Sequence, residues 1–339
     1  MAAPDSATEL RRLVNGYQVS QAIHVAASLG IADRLTAAPR PVSELAAELG
    51  AHAESLYRLL RALAAVGLFH EDDDRRFSLA PLGECLRADS AHPLAPWAIF
   101  IGQAYVREAW GDLLHSVMTG ENAVRHRHGC DVWEYRRQHP AQSAIFDRAM
   151  AGNSDDVANA ILSSYDMGRF GKIADIGGGQ GEFLASILAA EAEVRGILVD
   201  LPHVVARAPA LFQSKGVASR CEIAGGSFFE SVPAGADAYV LMQILHDWTD
   251  DEAAAILGNC RRAMSSDETL LVIERLVAPP NQGAETKFSD LNMLVLPGGR
   301  ERTREQFAAL FDRAGFALTE AVSTGTRLFV IEGRPGAPR

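Results

Sequence analysis

A histidine that follows a strand-like run is the first side chain of this sequence suited to acid–base chemistry. The run Tyr239–Leu245 is apolar, and His246-Asp247-Trp248 comes directly after it. An imidazole takes a proton from a hydroxyl group near neutral pH. His246 is therefore a candidate general base, although a hydrogen-bonded structural histidine would look the same in sequence. Thr249 and Glu252 have the spacing of a capping box, which predicts that a helix begins there.

A glycine-rich loop joins another predicted strand to a predicted helix. Ile173–Ile176 is strand-like, Gly177-Gly178-Gly179-Gln180-Gly181 follows at once, and Glu182–Leu188 has a helical pattern. Glycines allow the sharp turn and leave bare main chain for a ligand. No Lys-Ser/Thr pair follows, which argues against a nucleoside-triphosphate loop.

Two acids accompany this loop. Asp200 ends the next predicted strand, where its carboxylate can accept hydrogen bonds from both hydroxyls of a ribose, and Asp175 precedes the loop and is expected to orient it. A nicotinamide dinucleotide would use the same ribose contact. The spacing GxGxG fits S-adenosylmethionine (SAM) better than the dinucleotide pattern GxGxxG, so we predict a SAM-binding crevice beyond the carboxyl ends of these strands.

The elements after Gly171 are those that must position these residues. Apolar strand-like runs alternate with helical patterns, which predicts a parallel sheet covered on both faces. The last two runs, Phe316–Val322 and Arg327–Ile331, are joined only by Ser323–Thr326, so the chain should end in an antiparallel hairpin. An α/β sheet finished in this way is the class I methyltransferase pattern, whereas a nicotinamide-binding Rossmann sheet is all parallel.

The first part of the chain has mainly helical patterns. Thr8–Leu35 has apolar residues at helical spacing on enough faces to pack within a subunit and against a partner, which predicts a homodimer. Residues 41–79 follow the order helix, turn, helix, hairpin of a winged helix, with Ser43 as the expected N-cap of its first helix. We predict a helical and winged-helix dimerisation domain (1–100), a helical linker contributing to a substrate pocket (101–170) and a SAM-binding catalytic domain (171–339).

Winged helices often bind DNA, so a DNA-binding regulator is an alternative. The formal net charge is −11, the second helix offers only Arg58 and Arg61, and four consecutive acids occupy the hairpin tip at 71–74. A duplex partner needs a concentrated basic surface, and we expect no nucleic-acid partner.

Composition limits the other options. No apolar run approaches the roughly 18 residues of a membrane span, the N-terminus has no secretory pattern, and the four cysteines are widely scattered. These features predict a cytoplasmic protein without membrane partners. His126 and His128 alternate with arginines, so we interpret this stretch as a solvated loop and expect no metal.

At this point the chain resembles the plant-type small-molecule O-methyltransferases and their bacterial counterparts that act on aromatic polyketides and other natural products. The resemblance covers nearly the whole chain, and its most specific segments are ADIGGGQG, VDLPHVV, GGSFFESVP, LHDWTDDEA and DLNMLVLPGGRERT.

The resemblance implies a role for each matching position. His246 would be the general base, and Glu274 and Glu301 would hold it, although Glu301 also fits an exposed charge. The positions implied for the cofactor are Asp175, Gly177, Gly179, Gly181, Asp200, Leu201, Ser227, Phe228 and Met242. Those implied for the substrate are Phe146, Met150, Asp247, Asn292 and Met293. For the two methionines, core packing is an equal alternative.

Two positions depart from the family pattern. Ser227 stands where the family often has an aspartate that accepts a bond from the adenine amine, so cofactor binding is expected to be weaker or differently arranged; Phe228 should still pack on adenine. Met242 stands where plant members have a lysine.

These features predict a SAM-dependent O-methyltransferase that methylates a hydroxyl of an aromatic, polyketide-like natural product, as in antibiotic biosynthesis. A plain phenol has a pKa of about 10 and imidazole about 6.5, a gap of roughly 5 kcal/mol. Either a neighbouring carbonyl acidifies the hydroxyl, or the two glutamates raise the basicity of the histidine. The alternatives are C- or N-methylation and assistance to a hydroxylation or pericyclic reaction.

Overall fold

The computed structural model of the protein describes residues 5–36, 38–151 and 154–336. These residues fall into two compact units, one within Met1–Gly111 and Glu134–Asn153 and the other within Asp112–Trp133 and Ser154–Arg339. The segment 101–170 contributes residues to both units.

The first part of the chain is mostly helical, with a small three-stranded sheet. Its elements are α1 (Ser6–Val14), α2 (Gly16–Ser28), β1 (Arg40–Pro41), α3 (Val42–Leu49), α4 (Ala53–Ala65), β2 (Phe69–Glu71), β3 (Arg76–Leu79), α5 (Pro81–Glu84), α6 (Ala95–Ile101) and α7 (Ala104–Gly111). β3 pairs antiparallel with both β1 and β2. Helices α3 and α4 with this hairpin form the predicted winged helix, around a core that includes Leu45, Leu60 and Phe77.

One local prediction in this part was wrong, and one predicted helical stretch is divided in two. The helical pattern over Thr8–Leu35 is interrupted at Asn15, which caps α1 before α2 starts at Gly16, because Asn and Gly are poor helix formers. Ser43 is not an N-cap: α3 begins at Val42, and Pro41, held extended by pairing with Arg76, takes the cap position.

Among the described residues from 113 to 164, five helices follow. They are α8 (Leu113–Thr119), α9 (Ala123–His128), α10 (Val132–Gln138), α11 (Pro140–Ala151) and α12 (Ser154–Ser164). The expectation of a loop around His126 and His128 was wrong, since both residues lie in α9. The side chain of Asn122 caps this helix by accepting from the N–H of Arg125.

The second unit is built on a seven-stranded sheet. Its elements are β4 (Lys172–Ile176), α13 (Glu182–Ala190), β5 (Arg195–Asp200), α14 (Pro202–Val205), α15 (Ala208–Ser214), β6 (Cys221–Gly225), β7 (Ala238–Met242), α16 (Asp250–Ala263), β8 (Thr269–Glu274), α17 (Ala284–Val295), α18 (Arg304–Arg313), β9 (Phe316–Ser323) and β10 (Phe329–Pro335). The strand order is β6-β5-β4-β7-β8-β10-β9, with β4 to β8 parallel. β10 runs antiparallel to β8 and β9, which confirms the terminal hairpin and the class I methyltransferase fold.

Apolar layers cover both faces of this sheet. One layer contains Leu184, Leu188 and Phe212 of the helices on one side, and the other contains Ile256, Leu257 and Phe311 on the opposite side. The central strands are therefore buried on both faces, as their continuous apolar sequences predict. Among the described residues, no helix combines the length and apolar character needed to cross a membrane.

The strand that leads to His246 is shorter than predicted. β7 ends at Met242, Gln243 has a φ of +54°, and Leu245–Asp247 form a 3₁₀ turn. The capping box is confirmed, because the Thr249 side chain and Glu252 bond each other's main chain at the start of α16. His246 thus lies on a short turn between two well-defined elements.

Candidate active site

The glycine loop turns from β4 into α13 and is held by the end of β5. The N–H of Gly177 donates to the carbonyl oxygen of Val199 over 2.7 Å, and the N–H of Gly179 donates to Oδ2 of Asp200 over 2.9 Å. The other oxygen of Asp200 accepts from the N–H of Leu201 over 2.7 Å. Asp200 therefore fixes the loop, and its two oxygens keep lone pairs for a further hydrogen-bond donor.

The loop is closely packed at Gly177 and open at Gly179. Gly177 has a φ of +73°, and a Cβ there would lie 2.6 Å from Cδ1 of Ile244 and 3.3 Å from the ring of Phe228. A Cβ at Gly179 would face open space, with no atom of the described residues within 4 Å. Open main chain beside a carboxylate suits a nucleoside whose ribose hydroxyls reach that carboxylate. The residues present therefore fit SAM.

Asp175 lies beneath the loop in an apolar environment. Its side chain is buried, and neither carboxylate oxygen has a hydrogen-bond partner among the described residues. Burial, with smaller effects from the charges of Asp200 and Glu182, raises the pKa of Asp175 to about 7. A Cβ on Gly178 would lie 2.4 Å from Oδ2 of Asp175, so the carboxyl supports the loop by packing.

The expected adenine end of the crevice is made by the segment after β6. The hydroxyl oxygen of Ser227 accepts from the N–H of Phe229 over 3.2 Å, so part of its bonding capacity is used locally. Asn259 of α16 donates its Nδ2 to the carbonyl oxygen of Phe228 over 2.7 Å. Sequence reasoning missed Asn259, a buried polar residue on an otherwise apolar helix face.

The aromatic rings of this segment pack against Trp248. Its ring centroid lies 4.8 Å from that of Phe229 and 6.0 Å from that of Phe228, both edge to face. Trp133 stacks on Trp248 at 6.1 Å. The turn that carries His246 is thus packed against the segment expected to contact adenine.

Two other residues predicted for the cofactor are near the ends of the strands. Met242 is the last residue of β7 and is half-buried, and Leu201, directly after Asp200, is 43% exposed.

His246 is held between two buried carboxylates. Its Nδ1 lies 2.8 Å from Oε2 of Glu274, the last residue of β8, and 4.0 Å from Oε2 of Glu301. The shorter contact is an ion pair in which the ring N–H is not aimed straight at the oxygen. Nε2, on the other side of the ring, lies 3.5 Å from Oδ1 of Asp247. The structure therefore brings together all three residues predicted to be catalytic.

The surrounding charges set the proton affinity of His246. Burial alone would lower its pKa, but the carboxylates of Glu274, Asp247 and Glu301 outweigh burial and raise the pKa of His246 to about 10. A phenol ordinarily has a pKa of about 10. The charges around His246 therefore bring the pKa of its imidazole close to that of an ordinary phenol.

Glu301 is held by residues that the sequence analysis did not single out. Its Oε1 accepts from the hydroxyl of Ser289 over 2.7 Å and from the guanidinium of Arg275 over 3.0 Å, while its own N–H donates to Oδ1 of Asp290 over 2.9 Å. Glu301 is 2% exposed, so it is not a surface charge. The only sequence signal for Arg275 was its position directly after Glu274.

The residues predicted for the substrate lie on separate helices, each described within its own unit. Asn292 and Met293 lie on α17 in the second unit, with Met293 8% exposed. Phe146 and Met150 lie on α11 in the first unit, where Phe146 packs edge to face on Phe100 and beneath the guanidinium of Arg136, and Met150 is 42% exposed.

A group of potential metal ligands, separate from His246 and its two glutamates, lies on α8, on α9 and between these helices. Nε2 of His115 is 2.9 Å and Nδ1 of His126 is 3.9 Å from Oε2 of Glu121. The two imidazole rings are stacked 3.5 Å apart with planes 16° apart. Ring-nitrogen lone pairs lie in the ring plane, so nearly parallel rings do not direct them at one ion. The expectation of no metal stays a prediction.

Comparison with known proteins agrees with this geometry. A family model of the O-methyltransferase domain matches residues 110–317, and one of the O-methyltransferase dimerisation domain matches residues 11–89. The chain belongs to the O-methyltransferase family. It is a SAM-dependent enzyme of the type that acts on aromatic natural products, and its cofactor is SAM.

Individual relatives cover nearly the whole chain. A phenazine O-methyltransferase of Lysobacter antibioticus is 42% identical over 96% of this chain and 95% of its own length. An 8-amino-8-demethylriboflavin N,N-dimethyltransferase of Streptomyces davaonensis is 37% identical over 94% of this chain and 92% of its own length. The crystal structure of an O-methyltransferase from neocarzinostatin biosynthesis, in complex with SAM and 2-hydroxy-5-methyl naphthoic acid, is 35% identical, covers 93% of this chain and 95% of that chain, and has a TM-score of 0.80.

Proposed function

We propose that this enzyme methylates a phenolic hydroxyl on a fused or substituted aromatic natural product, with His246 as the group that holds the acceptor's proton. The observation that carries the proposal is the position of the imidazole. Nδ1 lies 2.8 Å from Glu274, whereas Nε2 has only the longer 3.5 Å contact with Asp247 and is the nitrogen that we expect to meet an acceptor oxygen.

The high pKa of His246 defines the protonation state of the reactive complex. Phenol with neutral imidazole and phenolate with imidazolium differ only in the position of one proton. When the two pKa values match, the proton moves between them at little cost in free energy. The three carboxylates around His246 therefore favour an acceptor oxygen that carries negative charge while Nε2 holds the proton.

Bound SAM supplies an electrophilic methyl group on its sulfonium. The chain's own contribution is to hold the cofactor through the loop at Gly177–Gly181 and Asp200, and to orient the acceptor oxygen. Correct orientation accounts for a large share of the acceleration of a transfer between two bound molecules. We assign this orientation to Asp247, Asn292 and Met293, which all belong to the second unit.

The test is an incubation with methyl-labelled SAM and matched pairs of aromatic acceptors, each pair consisting of the free phenol and its methyl ether. Mass spectrometry should find one added methyl on the phenol and none on the ether, and His246→Ala should bind SAM normally but lose most turnover. Unchanged turnover in that variant would remove His246 as the base.

An amine acceptor is the second candidate, because the riboflavin-type relative is named as an N,N-dimethyltransferase. The same panel should therefore include each aminophenol with only its nitrogen or only its oxygen blocked. Methylation that survives blocking of the oxygen would assign the nitrogen as acceptor.

A further inference from the structure

Arg302 is a buried cation next to the turn that carries His246. Its side chain is 1% exposed and is the largest fully buried side chain among the described residues. Its Nε donates to Oδ1 of Asp250 over 2.9 Å, and Nη2 lies 2.8 Å from the same oxygen. Burial of a guanidinium costs free energy unless its donors have hydrogen-bond partners. The partners of Arg302 are therefore part of what keeps it in this position.

The other donors of Arg302 bind main-chain carbonyls on both sides of His246. Nη1 donates to the oxygen of Leu245 over 2.8 Å, and Nη2 donates to the oxygen of Trp248 over 3.0 Å. The carbonyl oxygen of His246 itself accepts from the N–H of Arg300 over 2.8 Å. The carbonyls of residues 245, 246 and 248 are thus all bound by the segment 300–302.

Gly299, directly before this segment, also contacts the turn, with no side chain between the two main chains. A Cβ on Gly299 would lie 2.1 Å from the carbonyl oxygen of His246 and 2.5 Å from the nitrogen of Trp248. Only glycine permits this approach. Because Glu301 belongs to the segment, the contact also fixes the distance from its carboxylate to Nδ1 of His246.

Outside this segment, the turn is held mainly by side-chain contacts, namely the ring packing of Trp248 and the ion pair of His246 with Glu274. β7 has ended at Met242, so the sheet's hydrogen bonds do not extend to His246, and the bond from the His246 N–H to Oε1 of Glu274 is long at 3.3 Å. We infer that Arg302 is the positioning residue for His246, holding the 3₁₀ turn Leu245–Asp247 and the Trp248 that follows it, so that the imidazole stays between its carboxylates and faces the acceptor.

This inference rests on the proposed role of His246, and it requires arginine rather than any cation. A guanidinium presents several donors in a fixed plane, which allows it to bind two carbonyls and a carboxylate at once. A lysine would keep the charge next to Asp250 but could not bind all three groups in this geometry. The turn would then lose at least one of its main-chain bonds.

The decisive variant is Arg302→Lys, with Arg304→Lys as the matched control, since Arg304 is exposed at the start of α18. A misplacement of about 1 Å at a reacting group costs about 100-fold in rate. We expect kcat of Arg302→Lys to fall by about that factor while the dissociation constant for SAM stays within about twofold, and the alkaline limb of its pH–rate profile to move. Arg304→Lys should match the wild type.

Two outcomes would overturn the inference. One is a kcat within about threefold of the wild type. The other is a kcat that falls only in proportion to the fraction of protein that still binds SAM, with an unmoved pH profile, because this is what loss of folded enzyme produces.

A second variant covers the case in which Arg302→Lys does not fold. Gly299→Ala leaves Arg302 in place but pushes on the carbonyl oxygen of His246, and should also lower kcat while SAM binding is kept; unchanged turnover would contradict the inference. His246→Ala is measured in parallel. If His246→Ala keeps full turnover, the assignment of His246 as the base fails. If His246→Ala loses turnover and Arg302→Lys has normal turnover, only the role of Arg302 is contradicted.

Discussion

Nδ1 of His246 lies 2.8 Å from Oε2 of Glu274, whose side chain has no exposed surface. Glu274 ends β8, while His246 lies on the turn after β7, its parallel neighbour in the sheet. The pair is therefore held by the end of β8, by the turn that follows β7 and by the segment that contains Glu301. The basicity of the imidazole therefore depends on carboxylates that are placed at the carboxyl edge of the sheet.

Replacing Glu274 with glutamine should reduce turnover while leaving SAM binding intact. The amide keeps an oxygen for the His246 N–H but removes the charge beside Nδ1, so the imidazole becomes a weaker base. A well-placed general base contributes about 100-fold or more, and we expect a loss of kcat of that size. Glu301→Gln should have a smaller effect, because Glu301 is 4.0 Å away and is paired with Arg275. Equal losses in the two variants would contradict this ranking.

The pH dependence of kcat/KM should have its alkaline limb near the pKa of His246, about 10. The reactive state holds one proton between the acceptor and His246. For an acceptor acidified by a neighbouring carbonyl, the rate should rise as pH passes the acceptor's pKa and fall as the imidazolium is lost near pH 10. Initial rates at constant ionic strength, with SAM binding checked at each pH, measure both limbs.

His246→Ala provides the control for that profile. Its residual rate should rise with the amount of phenolate and show no alkaline fall. A wild-type profile that rises near the ordinary imidazole pKa of about 6.5, with no limb on the alkaline side, would contradict the charge environment described for His246.

The sequence was sufficient to predict the sheet, the terminal hairpin and the meeting of His246 with the two glutamates. Strand periodicity and short linkers indicated the topology, and the motifs shared with the family indicated the two glutamates. It was insufficient for Arg302, Arg275 and Asn259, because a charged or amide residue looks exposed in sequence unless its buried partners are known. Main-chain carbonyls, which Arg302 and Asn259 bind, leave no trace in residue types.

Asp175→Asn should become relatively more stable than the wild type as pH rises. The pKa of Asp175 in the folded protein, about 7, is above its unfolded value of 3.8, so the folded state binds this proton more tightly. Its contribution to stability is fully present below the unfolded pKa and is lost as pH rises through the folded pKa. Between about pH 5.5 and 8.5, the difference in free energy of unfolding between the variant and the wild type should shift by about 2 kcal/mol in favour of the variant. Parallel urea titrations measure it, and a pH-independent difference would mean that Asp175 does not titrate in this range.

Ser227→Asp should tighten SAM binding. A charged acceptor forms a hydrogen bond stronger by about 1 kcal/mol than a neutral hydroxyl does, which corresponds to about a fivefold lower dissociation constant. Calorimetry with SAM and with an analogue lacking the adenine amine separates this contact from others, because only the first ligand should gain. An equal gain for both ligands would show that position 227 acts through the local bond to Phe229.

Leu13→Asp should convert a homodimer into monomers. The first two helices leave Leu10, Leu13, Val14 and Tyr17 between 58% and 65% exposed, within or beside the family's dimerisation domain. Covering an apolar side chain of this size contributes about 1.5–3 kcal/mol, and a carboxylate in its place would have to be desolvated. Light scattering at micromolar concentration should give a dimer for the wild type and for the exposed polar control Gln18→Asp, and a monomer for Leu13→Asp. A monomeric wild type would contradict the prediction, because it would show that no second copy of the chain covers this apolar face.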